Sequence, residues 1–352
     1  MNLDNRKRLI LKEIVDRYIR VKEPVSSRMI LDDYQLSVSS ATVRNDMKHL
    51  KKLGYIDKPY PSSGRIPTEK GYRFFVDWLL ELAELNQQEK QAIVESYRFQ
   101  RQEINRLFQQ TVFLLANISG YVGFLLSPAL EHTYLQSVTM TGLDRENILV
   151  VIVSDIGIVE SKIIRADIPP DELEKINHLL NRRLRGERLS AIQERVVVDF
   201  EDGTRDWYDK VIGDALLLVK EMISDQPDRR LYIEGILNLL RHPDVERIED
   251  VREVIGLLED ERRFTEMIRQ IRERPGRDGI VIAIAEESGR PELTRYSLIT
   301  ADYGGGFGVV GVLGPMRMDY SKAVATTRYI ANRLSTILAR SSPSATEVSE
   351  RR

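Results

Sequence analysis

Apolar and polar positions alternate with a helical period through the first stretch of the chain. Leu11, Ile14, Val15, Tyr18 and Ile19 fall on one face of residues 4–20, with Asp4 or Asn5 placed to cap that helix and Glu23-Pro24 to end it. Ser26 opens a short second helix to about Tyr34, with Met29, Ile30 and Tyr34 as core candidates, and Leu36 and Val38 lie in the turn that follows. Ser39 or Ser40 caps a third helix, which Gly54 closes. Its apolar stripe is Val43, Met47, Leu50 and Leu53. The period then shortens. Tyr55–Lys58 reads as a strand, Pro59–Gly64 as a turn dense in Pro, Ser and Gly, and Arg65–Pro67 as a returning strand; Thr68 caps another helix. Three helices followed by a two-stranded ribbon predict a winged helix-turn-helix.

Residues 72–119 contain neither Gly nor Pro, which predicts one long helix or two broken near Asn86. Phe75, Trp78, Leu79 and Leu82 make one face of the first part. Further on, Tyr97, Ile104, Phe108, Thr111, Leu115 and Ile118 recur in a short heptad-like pattern. It fits a dimer seam or, more simply, a helix packed on its own domain. From Gly120 the period turns to that of strands, at Tyr121–Leu126, Tyr134–Thr141, Ile148–Ser154 and Val159–Ala166, before a helix over Asp171–Leu184.

Residues 188–270 differ again. Arg195–Phe200 suggests a strand and Trp207–Ser224 a helix, while Tyr232–Leu240 suits a strand or a buried helix. Val245–Glu273 is helical and laced with charge, with Glu259 and Arg263 at the spacing of an ion pair. Strands return at Ile280–Glu286, Arg295–Ala301 and Val309–Leu313, and a last helix spans about Tyr320–Leu338. Sheet, mixed helical segment and sheet again predict one α+β domain carrying an insertion at 188–270. The polar tail, 341–352, is expected to be disordered.

Composition narrows the class. At 42 % hydrophobic and 30 % charged residues, the chain reads as soluble and globular. No apolar run reaches the roughly 20 residues of a membrane helix, and the N-terminal stretch is charged where a signal peptide would be apolar. A cytoplasmic protein with no membrane partner is expected. The absence of cysteine excludes disulfides, thiolate metal sites and cysteine nucleophiles. The net charge of -2 hides an asymmetry: residues 1–80 hold 16 Lys/Arg against 10 Asp/Glu, and the remainder is acidic. A basic head on an acidic body suggests a head that binds a polyanion.

Catalytic signals are weak. Gly306, Gly308 and Gly311 match the dinucleotide spacing, but strand-like residues follow them where a helix would be required, so a glycine-rich hairpin is the better reading. The four histidines lie far apart, which argues against a metal site, and no serine sits in a nucleophile-elbow context. No enzyme activity and no cofactor are expected. Asp319 is placed to cap the last helix, and Arg317 beside it is a candidate for an anion or an acidic partner group.

The head offers better chemistry. Ser39, Ser40, Thr42, Arg44 and Asn45 gather short hydroxyl, amide and guanidinium groups on the first turn of the third helix, as major-groove readers require. Lys48 on the same helix, with Lys58 and Arg65 on the wing, is placed for phosphate. Asp46 either orients Arg44 or only caps locally. An ordinary amphipathic surface helix remains the alternative for this helix taken alone; the ribbon and the basic balance favour a DNA-binding face.

The segment SSATVRNDMKHLKKLGYIDKPYPSSGRIPTEKGYRFFV (Ser39–Val76) closely resembles the hallmark block of the bacterial heat-inducible transcription repressors, the HrcA family. EPVSS (Glu23–Ser27) and GVLGPMRMDYSKA (Gly311–Ala323) resemble further blocks in the same order, with small departures at Ser26, Ser63 and Met316. The resemblance implies a three-part subunit: a winged helix over 1–85, a GAF-like domain over 86–187 plus 271–340, and a dimerisation domain inserted at 188–270. It also implies a homodimer on a double-stranded inverted-repeat operator (CIRCE) before chaperone operons, with activity supported by the GroE chaperonin. Two other readings follow from the residues. In one, the GAF-like body senses a small molecule, with the loop at 304–311 and the sheet forming the pocket. In the other, the winged helix binds protein as an adaptor.

Overall fold

The computed structural model describes residues 3–33, 38–60, 63–97, 104–165, 168–192, 230–242 and 248–341. The head opens with α1 (Asn5–Val21), α2 (Ser27–Asp33) and α3 (Ser40–Lys52). Asp4 caps α1, accepting from the Lys7 amide at 2.9 Å, and Ser39 caps α3, accepting from the Thr42 amide at 3.2 Å. Val43, Met47 and Leu50 point from α3 into the core formed with Ile10, Ile14 and Val15 of α1. Strands β1 (Ile56–Asp57) and β2 (Ile66–Pro67) pair antiparallel, and Val25 and Arg65 exchange backbone hydrogen bonds of 2.8 Å that extend the ribbon to the α1–α2 turn.

Next comes α4 (Glu69–Phe74), where Gly71 has no room for a side chain: a Cβ there would lie 2.1 Å from the Tyr55 carbonyl oxygen. A π-helical turn over Phe75–Leu79 follows. The wider turn breaks the expected apolar face, because side chains three and four apart no longer stack. Phe75 stays buried, but Trp78 is 71 % exposed. The helical region is broken over 80–86, and at the end of that break the side chains of Asn86 and Glu89 form a reciprocal capping box at the start of α5 (Gln87–Ser96). The heptad-like residues pack within the chain: Tyr97 at the end of α5 and Phe108, Thr111 and Leu115 of α6 (Ile104–Ser119) are buried, and the Tyr97 and Thr111 hydroxyls lie 3.0 Å apart.

The body is built on a five-stranded antiparallel sheet in the order β7-β3-β10-β9-β8, with β3 Val122–Leu126, β7 Leu231–Glu234, β8 Ile280–Ile284, β9 Tyr296–Tyr303 and β10 Gly308–Pro315. One face carries Leu125, Ile299, Val310 and Val312 against α6 and the last helix, α11 (Tyr320–Ser341). The other carries Phe124, Leu298, Val309 and Leu313 against α9 (Ile248–Glu259) and α10 (Glu261–Arg272). Coverage on both faces explains why β10 is buried along its whole length.

The first core continues without a break into the head, through Tyr72, whose ring lies 6.1 Å from that of Tyr320. Residues expected to be a strand or a buried helix resolve as both: β7, a left-handed turn at Gly235, and α8 (Ile236–Arg241).

A separate three-stranded sheet, β4-β5-β6, comprises Leu135–Gly142, Asn147–Ser154 and Val159–Arg165. Helix α7 (Pro170–Leu184) packs on one of its faces, around Val138, Met140, Val150, Ile152, Ile176 and Leu180. Asn177 and Asn181 of α7 bond to the amides and carbonyls of Met140 and Val138, covering the outer edge of β4.

Strand pairing therefore draws the insertion elsewhere than at 188–270. Because β3 and β7 are neighbours, the chain leaves the main sheet after Leu126 and is back in it at Leu231, and β7 with the helices over 248–259 and 261–272 belongs to the body. Both sheets share the same two-residue period, so the change of domain leaves no mark in the apolar pattern. The expected strand at Arg195–Phe200, the expected helix at Trp207–Ser224 and the tail beyond 341 lie outside the described residues.

The expected Glu259–Arg263 pair does not form. Asp260 ends α9 and caps α10, accepting from the Arg263 amide at 3.0 Å, and the Arg263 guanidinium pairs with Glu292.

Candidate nucleic-acid interface

The first turn of α3 lies at the surface, fixed from beneath. Ser39 spends its hydroxyl on the helix cap and lies 3.0 Å from the Thr42 hydroxyl. Ser40 lies 3.4 Å from the buried Ser27 hydroxyl of α2, which also accepts from Arg44 Nε at 3.2 Å. Ser27 thus anchors the Arg44 guanidinium at its Nε, while the residue stays exposed. Arg44, Asn45 and Lys48 are exposed. Asp46 does not orient Arg44. Its buried carboxylate accepts from Arg6 Nε at 2.6 Å and Nη2 at 3.3 Å, with Lys7 Nζ 3.6 Å away, and so bolts α3 to α1. Arg6 and Ser27 were not legible as site supports, since each acts across a turn or a helix pair.

On the wing, Lys58 and Arg65 are half-buried at the strand ends. The Arg65 Nη1 donates to the Gly64 carbonyl at 3.3 Å, and its buried Nε has no partner among the described residues. Lys51 bonds to Asp57 at 2.9 Å, ties α3 to β1, and holds that carboxyl below its ordinary value. Tyr60, 70 % exposed at the wing turn, is a surface group that the sequence pattern did not single out.

The back of the head is clasped to the body. Arg73 of α4 donates to both carboxylate oxygens of Glu287, at 3.0 and 2.7 Å, and to the Ile282 carbonyl at 2.7 Å. Arg317 is buried, and its Nη1 donates to the Tyr18 carbonyl at 3.1 Å while its guanidinium lies 5.5 Å from the Tyr18 ring centroid. It satisfies the C-terminal end of α1. The anion or acidic partner suggested for Arg317 is thus replaced by helix carbonyls of its own chain. Asp319 does cap α11, accepting from the Lys322 amide at 3.0 Å. Nearby, burial pushes the Asp16 carboxyl up to about 6.

The glycine-rich stretch is a hairpin. Gly304, Gly305 and Gly306 have left-handed φ angles between β9 and β10, and Gly308 and Gly311 lie in the strand beneath Tyr303 and Phe124. Among the described residues, no group of three His, Asp or Glu is placed to hold a metal, and no helix is long and apolar enough to cross a membrane.

Fold and surface define a winged helix-turn-helix DNA-binding protein of mixed α and β structure. A family model described as the winged helix-turn-helix transcription repressor, HrcA DNA-binding, matches residues 2–78, and one described as the HrcA protein C terminal domain matches 105–324. The chain is 32 % identical over 347 residues to the heat-inducible transcription repressor HrcA of Pelotomaculum thermopropionicum, covering 97 % of this chain and 98 % of that one. It is 33 % identical over 350 residues to the HrcA of Clostridium botulinum strain Eklund 17B, covering 96 % and 98 %. The chain belongs to the HrcA family of heat-inducible transcription repressors, and is not an enzyme. A crystal structure of a hypothetical protein at 2.2 Å resolution superposes with a TM-score of 0.65 at 26 % identity, covering 97 % of this chain and all of that one.

Proposed function

We propose that the protein represses chaperone operons from the cytoplasm by binding an inverted-repeat operator of the CIRCE type as a homodimer, with its activity supported by the GroE chaperonin. The observation that carries this reading is the exposed, pre-positioned first turn of α3 in a chain of this family. In this reading Ser39, Ser40, Thr42, Arg44 and Asn45 meet base edges or the phosphates flanking them, and Lys48, Lys58 and Arg65 meet phosphate. One head offers a small interface, so selectivity needs two heads at fixed spacing.

The second copy is assigned to the three-stranded sheet β4-β5-β6, which lies between β3 and β7 in a GAF-like body. The face of that sheet opposite α7 carries Leu149, Val151 and Val153, with Val159 at 50 % and Ile163 at 60 % exposure. These aliphatic side chains of β5 and β6, interrupted by Ser161 and bordered by Ser137, Thr139 and Thr141 of β4, suit a self-complementary contact across a two-fold axis. Sensing by the glycine-rich loop has less support, because Gly308 and Gly311 are filled against by neighbouring rings.

Gel-shift titration tests the reading. The wild-type protein is expected to bind an inverted-repeat duplex in preference to random DNA, with tighter binding in the presence of chaperonin. Arg44→Ala is expected to weaken operator binding by about 1–3 kcal/mol and to leave random-DNA binding nearly unchanged. Equal loss on both duplexes would remove Arg44 from base reading.

A further inference from the structure

A cavity of about 320 Å³ lies where the head meets the body, and it is separate from the α3 surface and from the bare sheet face. Its head wall is the α4 end and the π-helical turn; its body walls are the α10–β8 turn, β8 and α11. The lining is aliphatic along Val76, Leu80, Ile280, Ile282 and Val324. Charge is confined to two groups of residues. Arg73 and Asp77 bond to each other at 2.9 Å, and Arg73 is otherwise spent on Glu287 and the Ile282 carbonyl. Arg277 and Arg328 have no side-chain partner among the described residues. Asp278 shares their rim. Two uncommitted guanidiniums against one carboxylate leave a single net positive charge above an apolar wall.

We infer that this junction cavity binds a small organic monoanion: a carboxylate held by Arg277 and Arg328, with a short apolar body lying on the aliphatic wall. The volume is at the lower end for small-molecule sites, which limits the apolar part to a few carbons. Arg328, half-buried above an apolar surface, binds a carboxylate more strongly than a guanidinium in open water, and the exposed Arg277 adds its charge at the rim. Because the walls come from both units, an occupant also favours the packed arrangement of head on body over any arrangement that opens the joint. The inference stands apart from operator recognition, since it concerns binding by the DNA-free protein.

The test is calorimetric titration of the full-length, DNA-free protein with hexanoate, and with hexanol and hexylammonium as uncharged and cationic controls. One saturable site per subunit for hexanoate, with neither control binding, is the expected result. Arg328→Gln and Arg277→Gln are each expected to weaken it by about tenfold. Leu82→Trp, at a part-exposed position on the cavity wall, is expected to block it without removing a charge. Arg182→Gln, on the remote α7, is expected to bind as wild type, and thermal melts establish that each variant is folded. No saturable hexanoate binding, equal binding of hexanol, or variants at Arg328 and Leu82 that bind as wild type would overturn the assignment.

Discussion

The two sheets of this chain are made of the same kind of strand and are used differently. The five-stranded sheet is covered by helices on both faces, so most of its apolar side chains pack within the subunit. The three-stranded sheet is covered by α7 on one face, and its other face leaves Val159 and Ile163 in solvent. Its outer β4 edge is nonetheless closed by Asn177 and Asn181. A sheet with one closed edge and one bare apolar face resists open-ended pairing through that edge while keeping a surface for a defined partner. The comparison separates a core that holds the subunit together from a face available for association.

Substitutions at each sheet test that division, and the largest effect is expected in the doubly covered one. Phe264→Ala empties a fully buried position whose ring packs edge-on against Phe124 with centroids 5.2 Å apart. Denaturant titration should show a loss of about 3–5 kcal/mol. On the bare face, Val159→Asp with Ile163→Asp should weaken self-association by about a hundredfold or more in sedimentation equilibrium, since two-fold symmetry brings like charges together. The same variant should leave subunit unfolding within about 0.5 kcal/mol of wild type, as surface changes do. A comparable stability loss would mean that this face is also spent within the subunit.

Asn181→Ala probes the closed edge. It strips partners from the Val138 amide and carbonyl, and should cost about 1–2 kcal/mol by denaturant titration. The smallest effect is expected at the head–body joint, which belongs to neither sheet face. Burial raises the Asp16 carboxyl to about 6. The folded state therefore holds that proton more tightly than the unfolded chain does. The resulting stabilisation is full below the ordinary carboxylate range and is lost as the pH rises through about 6. Asp16→Asn should stabilise the protein by about 1 kcal/mol at pH 7, discounted for solvent screening of a part-exposed group. Thermal melts should show the gain disappearing near pH 4.

The head was legible because its signals are local. Ser39, Gly54 and Thr68 punctuate α3, the wing and α4 within 30 residues, and each does what its type requires. The place of β7 in the main sheet is not legible in the sequence because its contact with β3 joins residues about a hundred positions apart, and local period carries no such information. Arg317 was read as an anion site for the same reason: its partners, the carbonyls of Tyr18 and Ile19, lie at the other end of the chain. Asp46 carried a cue that only geometry resolves. A carboxylate on the same turn as Arg44 looks like its partner, yet the helix turns it inward to Arg6.

The proposed dimer has the bare face of the three-stranded sheet join two subunits and thereby set two heads on one operator. Operator titration of the Val159→Asp, Ile163→Asp double variant, with its mass followed in the same samples by sedimentation, tests this most directly. A folded monomer that has lost preference for the inverted repeat over a single half-site is expected. A variant that stays dimeric, or a monomer that binds the inverted repeat as tightly as wild type, would contradict it.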